Sequence, residues 1–236
     1  MVVVVGACAG AAQPTTTTAV PATPSSSTTS TTGSTSTTST STTTTAPEPE
    51  FTATISDATL DRLAHSWTED CPVGVEGVVI IDLNHWGFDG EVHKGAIVVA
   101  REEGGNVVEI FRRLFEIRYP IESVIPIGDL TPGIEGYDLD YNNTSGLHCR
   151  RATGSTSWSE HARGLAIDIN PFYNPFITSS ILWPLSSARY LDRTLDEPAM
   201  IHDGDAVVEA FEMWGWLWGG YWESIKDYQH FSTTGR

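Results

Sequence analysis

The chain has 236 residues and sets 30 Asp and Glu against 13 Lys and Arg, a formal net charge of −17. Such an acidic balance excludes binding along a nucleic-acid backbone, which needs a basic face, and most of these acids read as solvated surface. From Pro14 to Ala46 the sequence is mostly Thr and Ser with a few Pro, and no charged side chain precedes Glu48. A tract of this kind buries too little apolar surface to offset its conformational entropy. Residues 13–50 are therefore expected to be a disordered Thr/Ser-rich stalk, of the sort that carries O-linked sugars. Residues 51–236 suit a single domain with a sizeable core.

Ahead of the stalk, residues 1–12 (MVVVVGACAGAA) pass from apolar to small. The string Val5-Gly6-Ala7-Cys8 looks like a lipobox, in which small residues precede a cysteine that becomes lipid-modified. The apolar run is short and lacks a basic lead-in, so it is read as the remnant of an exported lipoprotein signal. Another exported form, or an apolar start without meaning, is the alternative. No other segment reaches the length of a membrane span. The expected membrane attachment is a lipid anchor at Cys8, and the expected location is extracytoplasmic. If Cys8 is lipidated, Cys71 and Cys149 remain as a pair that an oxidising compartment can join, the alternative being two separate buried thiols. Neither has a CxxC or CxxH neighbour, which argues against a thiolate metal site.

In the folded part, SDATLDRLAHSW opens with a Ser/Asp cap and sets Leu60, Leu63 and Ala64 at helical spacing. Two strand-type runs follow, VEGVVIIDLNHWGF and GAIVVA, separated by the turn-prone DGEVHKG. NVVEIFRRLFEIRY repeats apolar residues with a helical period and is expected to stop at Pro120. IESVIPI reads as a further strand. From Gly128 to Ser159 the chain is polar and turn-rich, too long for a plain connector and hence a candidate functional loop. A helix is expected from about Gly204 to Trp216, and a short strand around YQHFS. The run MWGWLWGGYW reads as core or cleft wall, with a membrane-interface or sugar-binding surface as the alternative. Mixed elements without regular βαβ alternation favour α+β with a largely antiparallel sheet flanked by helices.

The informative stretch is SWSEHARGLAIDINP, Ser157 to Pro171. Its apolar strand-like run carries an acid, Asp168, which a buried strand excludes unless something compensates the charge. A tight turn at Gly164 would fold the chain back and bring His161 to Asp168. A histidine and a carboxylate are good zinc ligands, and a catalytic zinc takes three protein ligands and leaves one position open. KDYQHF supplies His230 as the third, with Asp227 three residues earlier as a general base and acid acting on the metal's water. The oxyanion needs a donor, and Arg150 is the first candidate, with Arg151 as its rival. Ser159 reads as a turn or cap residue, or as a group orienting a ligand. His65, His85, His93, His148 and His202 have no comparable partners in the sequence and read as surface or core.

Together, NNTSGLHCRRATGSTSWSEHARGLAIDINPFYNP and DYQHF resemble the D-alanyl-D-alanine carboxypeptidase family of zinc peptidases. That family includes the L-alanyl-D-glutamate endopeptidases of phage endolysins and shares its fold with hedgehog signalling domains. The family string Ser-x-His-x-x-Gly-x-Ala-x-Asp is matched by Ser159, His161, Gly164, Ala166 and Asp168, and acid-x-x-His by Asp227 and His230. The resemblance covers roughly residues 70–236. It implies one Zn²⁺ per chain held by His161, Asp168 and His230, Asp227 as catalytic acid and base, and Arg150 on the substrate carbonyl. The implied activity is hydrolysis of peptidoglycan stem peptides, by carboxypeptidase or endopeptidase action, in a monomer of hedgehog/DD-peptidase-like fold. A non-catalytic zinc-containing cell-wall module of the same fold is the alternative, and the presence of Asp227 favours the enzyme. The chain departs from the pattern at Asp227, where many relatives have Glu, and at Arg163, where an aromatic is frequent.

Overall fold

The computed structural model describes residues 47–131 and 142–236. The lipobox remnant, Cys8 and the stalk up to Ala46 lie outside the described residues, as does the middle of the expected functional loop. In chain order the strands and α-helices begin with β1 (Ala53–Asp57), α1 (Leu60–Leu63), β2 (Val78–Trp86), β3 (Val92–Ala100) and α2 (Gly104–Glu116). They continue with β4 (Ser123–Val124), β5 (Asn143–Thr144), β6 (Ala166–Asp168), β7 (Phe176–Ile177), β8 (Leu182–Trp183), α3 (Ala206–Glu212), β9 (Leu217–Trp218), β10 (Lys226–Asp227) and β11 (His230–Ser232). The architecture is α+β. Among the described residues no helix is long and apolar enough to cross a membrane.

The scaffold is the antiparallel sheet β1–β2–β3. β2 pairs along its whole length with β3, from Val78 opposite Ala100 to Trp86 opposite Val92. Its apolar run is nearly continuous because both faces are covered. Val79, Ile81 and Leu83 join the main core, while Val78 and Ile80 face a second cluster with Leu63 and Leu147. Helix α2 lays Val107, Ile110, Phe111 and Leu114 on the main-core side, the i, i+3, i+4, i+7 stripe of an amphipathic helix. It ends at Glu116, four positions before Pro120, with Arg118 at positive φ.

The structure differs from the expected elements in four places. Ser56 and Asp57 do not cap a helix; they lie in β1, where Asp57 pairs with Val79, and the helix starts only at Leu60 behind Thr59. Cross-strand pairing with a fully buried neighbour outweighs the capping tendency of these residues. The turn between β2 and β3 is short, and β3 begins at Val92 inside the DGEVHKG stretch. IESVIPI forms only the two-residue β4, parallel to β5, since Asn143 takes over the ladder: its side chain accepts from Ile125 N and donates to Ile125 O. Finally, the expected single sheet is four small ones: β1–β2–β3, β10–β7–β8 and β6–β11–β9 are antiparallel, and β4–β5 is the parallel pair.

Cys71 and Cys149 form a disulfide with Cα atoms 5.7 Å apart at a sequence separation of 78. A loop of that length is stabilised by about 2–5 kcal/mol. The bridge, with the bond from Cys149 N to Ser66 O, anchors the segment that leads directly into Arg150. Ordered contacts begin before Phe51, since Glu48 pairs with Arg118 and Glu50 O accepts from Asn84. Residues Pro47–Arg236 form one compact unit.

Candidate active site

The turn at Gly164 is required by two facts. Its φ is +72°, and a Cβ there would run into the Ala100 backbone, whose N–H donates to Gly164 O. Ser159 caps the preceding helical turn by accepting from His161 N at 3.3 Å. The chain thus turns back at Gly164 and enters β6 at Ala166. β6 pairs antiparallel with β11 so that Asp168 stands opposite His230. Two distant pieces of sequence are brought to one point by this register.

His161 Nε2 lies 3.1 Å from Asp168 Oδ2 and 3.2 Å from His230 Nδ1, and His230 Nδ1 lies 3.1 Å from Asp168 Oδ1. The outward nitrogens decide the tautomers. His161 Nδ1 is 2.7 Å from Gly146 O and His230 Nε2 is 2.9 Å from Arg236 O, and a carbonyl can only accept. Each outward nitrogen therefore carries a proton, which leaves the two inward nitrogens, facing one another and a carboxylate, as the positions at which a further proton or a metal ion is held. Such a cluster needs a positive charge at its centre. Burial alone would raise the Asp168 carboxyl, but the His161 and His230 rings outweigh it and hold the group far below the usual carboxylate range. For His230 burial opposes the charged ring, and the bond and charge of Asp168 prevail and raise its pKa.

The donor set fits a tetrahedral metal. Bonds of about 2.0–2.1 Å at tetrahedral angles separate ligand atoms by about 3.3 Å, close to the spacings observed, and the three residues form a cluster able to hold an ion. Two imidazoles with one carboxylate is a set that suits zinc. The carbonyls of Gly146 and Arg236 would serve as the outer partners that orient such ligands.

Asp227 sits on β10 at the edge of this cluster, with Oδ1 buried and without a hydrogen-bond partner. Burial pushes its carboxyl up to about 7; His230, Gln229 and Arg150 oppose this and the Asp168 charge adds to it. Gly219 allows the approach, since a Cβ there would press on Asp227 O and the His230 Cβ. Of the aromatic run, Trp216 and Trp218 are core, whereas Trp222 leans on His230 with ring centroids 5.4 Å apart and is fixed by a bond to Gly235 O.

His161, Asp168, Asp227, His230 and Trp222 line one cleft of about 900 Å³. Arg150 and its rival Arg151 both line it. Arg150 acts electrostatically on Asp227 and His148, and its Nη1 donates to Arg151 O. Arg151 instead folds back over Trp158. Arg163 stands half-exposed on the same wall.

Sequence reasoning passed over His148, which lines the cleft and donates its N–H to His161 O. Burial, with the charges of Arg150 and His161, lowers its pKa to about 3, so it is neutral at ordinary pH. Its sequence signal was only its place two residues before Arg150. The remaining histidines do not line the cleft; His85 is buried and His93 bonds Asp89.

Residues 153–233 match the family model described as D-alanyl-D-alanine carboxypeptidase. The family recognised in the sequence is thus the family matched, over the stretch that carries His161, Asp168, Asp227 and His230; Arg150 lies three residues ahead of it. Neither the curated proteins nor the solved structures gave a match.

Proposed function

We propose that this chain is a zinc-dependent peptidase that hydrolyses peptide bonds in peptidoglycan stem peptides, with His161, Asp168 and His230 holding one Zn²⁺. The observation that carries the reading is the pair of inward nitrogens facing each other and a carboxylate at 3.1–3.2 Å. Zinc bound there would supply Lewis acidity, polarising a substrate carbonyl and making water acidic enough to lose a proton near neutral pH.

The chain's own groups do the rest. Asp227, whose raised pKa suits a proton carrier near neutrality, takes the proton of the attacking water and delivers it to the leaving amine as the C–N bond breaks. Water and peptide thereby become a carboxylic acid and an amine, the acid's proton passes to the amine to leave carboxylate and ammonium, and Asp227 returns to its starting state. Arg150 offers N–H donors to the carbonyl oxygen as it gains negative charge. Trp222 and the Gly146 carbonyl keep the two imidazoles in place. A buried acid beside the cluster supports an enzyme over a binding-only module. The match to a carboxypeptidase family supports a wall peptide as substrate, and a lipidated Cys8 with a Thr/Ser stalk would hold the domain outside the membrane within reach of the wall.

Digestion of purified muropeptides followed by mass spectrometry tests the reading. Release of free D-alanine marks a carboxypeptidase, and cleavage between L-Ala and D-Glu marks an endopeptidase. Intact muropeptides after incubation with zinc-loaded protein would contradict both.

A further inference from the structure

The chain has more than two acids for each base, and most arginines away from the cleft are paired with one; Arg193, the exception there among the described residues, spends its donors on the Tyr173, Tyr190 and Ile201 carbonyls and on Asn174 Oδ1. Arg62, Arg101, Arg112, Arg113, Arg118 and Arg189 each hold a carboxylate at 2.6–3.4 Å. On the cleft wall this pattern breaks. Among the described residues Arg150 and Arg151 form no ion pair, and Arg163 meets only Glu160, at 4.0 Å. Positive charge left uncompensated in a protein of net charge −17 is placed for an anion that comes from outside.

Arg151 is the best prepared of the three. A bridge between Arg151 and Trp158 closes a small hairpin at the cleft rim. Across it the guanidinium lies over the indole, 3.6 Å from the ring centroid, and Nη1 donates to Thr156 O at 2.9 Å. One face of the planar group is covered and one nitrogen is engaged. The remaining edge keeps its N–H donors, already oriented, so little entropy is lost when a carboxylate docks on them in the bidentate way arginine favours. Arg150 has a different task, being directed at Asp227 and the reacting carbonyl.

We propose that Arg151 is a specificity residue that reads a free carboxylate of the substrate away from the scissile bond, with Arg163 as a second cation on the same wall. The preferred substrate is then an acidic peptide, and its amidated form is a poor one. This rests on the peptidase reading above and adds to it a chemical preference. The carboxylate has two sources in a stem peptide, a side chain or the chain end.

The test uses the full chain with Asp227→Asn, loaded with zinc so that peptide binds uncut, and calorimetry with three probes. These are the stem L-Ala-D-Glu-L-Lys-D-Ala-D-Ala, the same peptide with the D-Glu carboxylate amidated, and the same peptide with its C-terminus amidated. One amidation should weaken binding by about tenfold or more, as expected for loss of a charge-assisted bidentate pair, and which one does so identifies the source. Adding Arg151→Gln should erase that difference, and Arg151→Lys, which keeps the charge but not the fork, should restore only part of it. Equal affinity for all three peptides overturns the proposal, as does a preference that survives Arg151→Gln or a loss shared equally by all three probes. Kinetics of the chain with Asp227 intact keep the two readings apart. A carboxylate preference in binding without cleavage defeats the peptidase reading alone, whereas cleavage with equal kcat/KM on all three peptides defeats this inference alone.

Discussion

The two halves of the domain are built by different means. The scaffold of β1–β3 and α2 is held by apolar burial: Ile81, Ile97, Val99, Ile110 and Phe111 are each at most 1 % exposed, and nine-residue strands pair along their full length. The half that carries the site has strands of two or three residues and positive-φ positions at Asn142, Gly164 and Asn170. There Asn170 and Asn174 bond to backbone carbonyls, and a disulfide leads into the cleft wall. Burial tolerates exchange of one hydrophobe for another of similar volume. A cluster of directed polar groups does not, because each removal leaves a buried partner unsatisfied. Stability should therefore be read mainly from the first half and chemistry from the second.

The sharpest separation is expected at Asp227. Asp227→Asn should lower the hydrolysis rate by roughly 10²- to 10⁴-fold with zinc content intact and thermal unfolding little changed. Loss of zinc in that variant would make Asp227 a ligand. The scaffold counterpart is Phe111→Ala, which should cost about 3–5 kcal/mol in denaturant unfolding and leave zinc affinity unaltered in the folded protein. A metal site weakened in step with the core would break the comparison.

Arg150→Ala comes next. It should depress kcat by about 10²-fold with folding and zinc content preserved, while Arg151→Ala should act mainly on KM. Steady-state kinetics of the two variants on one stem peptide decides, and equal effects on kcat would remove the distinction.

The smallest effect is one of pH. His148 has a folded pKa of about 3, below the usual value near 6.5, so the unfolded chain binds more protons across that window. Its contribution to stability is present above pH 6.5 and is lost as the pH falls towards 3. Between pH 7 and pH 5 this amounts to about 1–2 kcal/mol, and His148→Gln should lose correspondingly less on acidification. Urea unfolding of both proteins at the two pH values measures the difference, and parallel losses would remove His148 from the buried wall.

What could be read in advance follows the same division. Helix α2 and strands β2 and β3 announce themselves by period, because burial acts on every residue of a long element. β1 was hidden because ATISD is short and ends in residues that equally suit a helix cap. The two-residue strands carry no period at all. Asn143 closing the ladder at Ile125 is a side-chain event that no local pattern reveals. In the site, His161, Gly164, Asp168, Asp227 and His230 were legible through their spacing, and the structure brings them together. His148 was not, since its role depends on burial beneath Arg150 and His161. The stacking of Arg151 on Trp158 was not either, because it depends on how the six residues between them turn back.

The central claim is that two imidazole lone pairs and the Asp168 carboxylate form a metal centre. Isothermal titration of zinc into chelator-treated protein, alongside His161→Ala and His230→Ala, tests it most directly. The account predicts one Zn²⁺ per chain in the parent protein, protons released on binding from a cluster that otherwise holds them, and greatly weakened binding in both variants. Absence of zinc binding in the parent, or full retention of affinity in both variants, would contradict it.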